Sequence, residues 1–157
     1  MTRLVGLFAL LVAVAGSLSY PAGGADAEGG GIRIKQAWAR ASIGTSRPAA
    51  AYVIIENGTD RPVTLTGVSS LLAGHAAVHK TLKQGSVMKM LPAEAIEIPP
   101  GGRLEMKPGG SHIMLMHLTR AIDEGTTLPL TLNFSDGTTL EAAALVLGPG
   151  AMGPKER

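Results

Sequence analysis

The sequence predicts an all-β fold, a sandwich or Greek-key barrel. Three observations predict it. Apolar runs of strand length, rich in β-branched and aliphatic residues, recur at spacings of roughly 8–12 residues. Between them stand Asn57-Gly58, Pro99-Pro100-Gly101-Gly102, Pro108-Gly109-Gly110 and Ser135-Asp136-Gly137, which favour tight reversals and oppose helix continuation. Only Ser70 to Ala77 could hold a helical turn.

Taken in order, Ile32-Arg33-Ile34-Lys35 alternates with period two and opens the domain. Ala51 to Glu56 follows and ends at Asn57-Gly58, a pair that tolerates positive φ. Pro62 to Val68 is the next strand, then Ala77-Val78-His79, Val87 to Met90, Ala95 to Ile98, Arg103 to Met106 and His112 to Leu118. Leu128 to Phe134 and Thr139 to Leu147 close the domain. Trp38, the single Trp, is expected to anchor the core near the first strand, and Arg40 to brace a turn or serve a surface. The tail, 148–157, is rich in Gly and Pro and is expected to be disordered.

The first residues have a different character. Arg3 precedes an apolar run from Leu4 to Ala15, then Gly16, Ser17, Pro21 and the small-x-small site Ala25-Asp26-Ala27. That run is shorter than the roughly 20 residues a spanning helix needs. Residues 1–27 therefore read as a secretory signal peptide, 28–31 as a flexible glycine-rich lead-in and 32–147 as the folded domain. No stable membrane span is expected after cleavage. With no cysteine near the cleavage site, a lipoprotein anchor is excluded.

The remaining chain of about 130 residues suits one domain with its own core. Its formal charge stays at +2, because the leader removes one Arg and one Asp. The cations form no long run and aromatic residues make up only 3%, which argues against nucleic acid as a partner.

Sulfur is the chemical signal. The chain has 7 Met and 0 Cys, and Met88, Met90, Met106, Met114 and Met116 fall in one stretch with His79 and His112. Thioether and imidazole suit Cu(I), which tolerates neutral donors. Such a site also survives in an oxidising compartment, where free thiols do not. In an extended strand His112, Met114 and Met116 share one face and Ile113 and Leu115 the other, and Met88 and Met90 likewise share a face. Two such strands brought together could supply two nitrogens and two sulfurs. Core filling is the competing account of any one Met, since Met adapts to irregular gaps. Core filling alone would scatter them.

The spacing His79, ten residues, Met90, twenty-one residues, His112-Ile113-Met114 resembles the signature of the periplasmic copper chaperone family PCuAC, also called DUF461. Ala37-Trp38-Ala39-Arg40 and Ala51 to Asn57 also resemble the family's opening strands, and the likeness runs over roughly 32–147. The resemblance implies a cupredoxin-like Greek-key barrel; that the chain is not an enzyme is expected because no nucleophile–base–orienter set is evident. The resemblance implies one Cu(I) on His79, Met90, His112 and Met114, carried in the periplasm. It also implies delivery to the binuclear copper centre of a cytochrome c oxidase subunit, directly or with a Sco-type chaperone. Met88, Met116, His75 and His117 lie outside the signature, and His117 stands where a glycine is expected.

Three rivals remain at this level. A blue-copper electron carrier needs a cysteine thiolate, which the chain lacks. A histidine-based copper or zinc enzyme built on His75 and His79 has no evident general base. A metal-free secreted β-sandwich would keep Met as packing. Because imidazole competes with protons, Cu(I) affinity is expected to weaken below about pH 6.

Overall fold

The computed structural model describes residues 31–155; the expected signal peptide and most of the lead-in lie outside the described residues. Within them are ten strands and no helix. They are β1 (Ile32–Arg40), β2 (Ala49–Asn57), β3 (Val63–Ser69), β4 (Ala73–Gln84) and β5 (Val87–Pro92). Then follow β6 (Ile96–Ile98), β7 (Arg103–Glu105), β8 (Ser111–Leu118), β9 (Thr127–Phe134) and β10 (Thr139–Leu147).

The strands form one sheet in the order β5-β4-β8-β2-β1-β10-β9-β3-β6, with β7 paired to β2. Only β1 and β10 run parallel; the other pairs are antiparallel. The sheet curls until β3 and β4, far apart in that order, come into contact. Alternation drives the curl. In β9, Leu128, Leu130, Leu132 and Phe134 are buried while Thr127, Pro129 and Asn133 face solvent. Val53 and Ile55 of β2, Ile113 and Leu115 of β8, and Ala144 and Val146 of β10 complete the same interior.

Three places depart from the sequence expectations. Ser70 to Ala77 forms no helix: Leu71-Leu72 is a turn and β4 begins at Ala73, one long strand instead of a short one. Asn57, expected to serve only a turn, is buried as a hub. Its Nδ2 donates to the carbonyls of Arg61 (2.7 Å), Ile98 (3.0 Å) and Pro99 (3.2 Å). Its Oδ1 accepts from the Thr59 amide (3.0 Å) and hydroxyl (2.7 Å). The tail expected to be disordered is tied down as far as Met152. Arg40 Nε donates to the Ala151 carbonyl at 2.7 Å, and the Ala151 amide closes a turn on Gly148 at 3.0 Å. One backbone bond and the Arg40 guanidinium hold the tail, where composition alone suggested disorder.

His117 is the one non-glycine described residue with positive φ, at +54°. Its Cβ lies so close to Gly74 on β4 that a Cβ added there would sit 3.1 Å away. Where the resemblance leads one to expect a glycine in β8, a histidine stands, and a glycine faces it on β4. A left-handed L-residue costs roughly 1–2 kcal/mol, partly offset by the extra chain entropy of glycine. His117→Gly is expected to raise the unfolding free energy by up to about 1 kcal/mol in urea melts. A fall in stability would show that the imidazole makes contacts worth more than the strain.

Candidate metal centre

Alternation sends Ile113 and Leu115 of β8 into the core and leaves His112, Met114 and Met116 on the opposite face. On β4 the buried Val78 pairs with Ile113, so His75, Ala77, His79 and Thr81 take that same outer face. The register then sets His79 opposite His112, Ala77 opposite Met114 and His75 opposite Met116. From the other side β5 places Met90 opposite Thr81 and Met88 opposite Lys83. Met90 is therefore one same-face step from His79. His79, Met90, His112 and Met114 stand together on one face of three adjacent strands.

The two imidazoles lie nearly parallel, with ring centroids 6.0 Å apart and planes 21° from one another. His112 is buried. The Pro108-Gly109-Gly110 turn, closed by the Gly110 amide on the Lys107 carbonyl at 2.9 Å, holds the Gly110 oxygen 3.3 Å from His112 Nδ1. With the proton on Nδ1 the ring donates there and leaves Nε2 a free lone pair. His79 Nδ1 is buried and has no hydrogen-bond partner. Buried polar atoms without a partner are uncommon, and this one is an imidazole nitrogen, a donor that suits copper.

A cavity of about 370 Å³ opens beside this face, and His112, Met90 and Met114 line it together with Met88, Tyr52 and Arg40. His79 does not line it and lies against His112 instead. Met88 was outside the spacing, yet its position two residues before Met90 was the available signal. Both are 55% exposed, on a strand that pairs only with β4. Beneath the cavity Trp38 stacks on Tyr52 at 4.3 Å, and Tyr52 approaches His112 at 6.5 Å. Arg40 lies 5.9 Å from the Tyr52 ring centroid. Burial pushes the Tyr52 hydroxyl above its usual range and the Arg40 cation partly offsets this, so the phenol stays neutral. Among the described residues, Arg40 is the only charged one in the cavity wall.

Met106 is a core residue, as the packing account of methionine requires. His75 and Met116 pair on the same face beyond Met114, and His117 lies against Gly74. Among the described residues no three of His, Asp or Glu are grouped so as to hold a metal ion. A metal on this face would be held partly by sulfur.

Known proteins resemble this chain over the same span. The family described as "Putative lipoprotein LpqE-like" matches residues 32–146. The "Putative lipoprotein Lxx21020" of Leifsonia xyli subsp. xyli (strain CTCB07) is 33% identical over 144 residues, covering 91% of this chain and 83% of that protein. Among solved structures, a copper-bound PCuAC domain from PmoF2 is 30% identical with a TM-score of 0.65, covering 76% of this chain and 95% of that one. The solution structure of CuI-DR1885 from Deinococcus radiodurans is 33% identical with a TM-score of 0.58, covering 84% and 87%. These likenesses place the fold as an all-β, cupredoxin-like domain.

Proposed function

The chain belongs to the LpqE-like family, and from that premise we propose that it is a copper chaperone of the PCuAC kind. It carries one Cu(I) on His79, Met90, His112 and Met114. The observation that carries this reading is the buried, unpartnered Nδ1 of His79 stacked beside His112, with the thioethers of Met90 and Met114 on the same strand face. The copper-bound state of the PmoF2 domain and the Cu(I) state of DR1885 support the choice of metal.

The donor set suits a monocation. All four ligands are neutral, and among the described residues no carboxylate group backs them and the one charge in the cavity wall is a cation. Each of these disfavours a dication more than Cu(I). Thioethers bind without losing a proton, so they exchange one at a time at little electrostatic cost. The exposure of Met90 on an edge strand lets a recipient begin that exchange from outside. Oxidation to Cu(II), which prefers N and O donors, is a second way to loosen the grip.

In the same reading the chain is exported to the periplasm and the recipient is the binuclear copper centre of cytochrome c oxidase, reached directly or through a Sco-type partner. The test is an anaerobic Cu(I) titration of the full chain against a chromophoric chelator. One tightly held equivalent is expected. A folded protein that never competes with the chelator would return the methionines to packing.

A further inference from the structure

The outer face of β4 and β8 holds more donors than one ion needs. All four histidines of the chain lie on these two strands. Along β8 the outward positions are His112, Met114 and Met116, without interruption. Facing them on β4 are His79, Ala77 and His75. His75 and Met116 are thus direct cross-strand partners, one same-face step beyond Met114 and outside the set described above. His75 is exposed and Met116 half-buried, whereas His112 is buried.

We propose that His75 and Met116 form a second, weaker Cu(I) site that loads the first; this rests on the reading of the face as a Cu(I) carrier. Cross-strand Cβ atoms lie about 4.5–5.5 Å apart. Metal–nitrogen and metal–sulfur bonds of about 2.0 and 2.3 Å let two facing donors grip one ion between them. Two neutral donors in line satisfy Cu(I) weakly, as an entry station requires.

The next pair inward supplies the transfer. Met114 lies about 7 Å further along the strand, and its partner Ala77 is too small to restrain the flexible thioether. The ion leaves His75 as the bond to Met114 sulfur forms, then leaves Met116 as the imidazoles of His112 and His79 close on it. Every ligand is neutral in its metal-binding form, so no compensating charge moves with the ion. His117 takes no part, because it lies against Gly74.

The experiment is an anaerobic Cu(I) titration of the full chain, followed by NMR of the Met methyl and His ring protons, with His75→Ala and Met116→Leu alongside. Loading from a Cu(I)–chelator complex is timed for each protein. The wild type is expected to show a tight event that moves His79, His112, Met90 and Met114, then a weaker one that moves His75 and Met116. Each variant should lose the weaker event, keep the affinity of the tight one and load several-fold more slowly. A tight event with no second event overturns this proposal while leaving the carrier reading intact. So does a second event that survives both substitutions, or a loading rate the variants do not change. Absence of the tight event overturns the carrier reading, and this proposal with it.

Discussion

Replacing Met114 with leucine is expected to cut Cu(I) affinity by about a hundredfold or more. Changes one shell removed from a metal typically cost tenfold to a hundredfold, and Met114 is assigned to the metal itself. Leucine nearly conserves the volume, so the thermal midpoint should barely move. His112→Ala should lose at least as much affinity. It also leaves a small buried gap beside Tyr52 and so costs some stability. Met90→Leu should weaken binding while Met88→Leu leaves the tight equivalent in place, although both side chains line the same cavity. The measurement is the chelator competition run on all four variants with melts beside it. A Met114→Leu protein with wild-type affinity would remove Met114 from the site.

Asn57→Ala is expected to cost about 2–4 kcal/mol, a fall on the order of 10 °C in Tm. The substitution strips hydrogen bonds from the Ile98, Pro99 and Arg61 carbonyls and from the Thr59 amide, in a region where Asn57 is buried. Removing one partner of a buried hydrogen bond exposes the full desolvation penalty of the other. Copper affinity should not follow. Asn57 ends β2, and Ala50, which pairs with Met114, lies seven residues back along the same strand, some 23 Å at about 3.3 Å per residue. Thermal melts and chelator competition on one preparation separate the two effects. A parallel loss of binding would mean that the site depends on the far end of the barrel.

Most of the strands were legible because period-two alternation is a local property. In β9 and β8 the apolar positions fall on one face by counting alone. The same counting placed His112 with Met114 and Met88 with Met90. What counting could not provide is the register between strands, which turns and distant packing set. That register decides that His79 faces His112, and that Met116 faces His75 instead of filling a gap. Asn57 was misread because Asn-Gly is a turn signal whatever surrounds it. Its partners at Ile98 and Pro99 lie about forty positions away. The ordering of the tail was invisible for the same reason, since the bond from Arg40 to Ala151 spans 111 positions. His117 could be flagged only as a missing glycine; the strain appears once φ is known.

The edge position of β5 has a consequence for self-association. A strand that displays Val87, Met88, Met90 and Leu91 beside a backbone edge unpaired among the described residues is a template for a second copy of itself. The β4–β5 hairpin carries Lys80, Lys83 and Lys89, all exposed, and no acidic residue from Ala73 to Pro92. Two β5 edges meeting would bring the two Lys89 ammonium groups together, with Lys80 and Lys83 one strand behind on opposite faces of each hairpin. Like charge along this hairpin opposes edge-to-edge pairing of the sulfur-bearing strand, the work that a covering element would otherwise do.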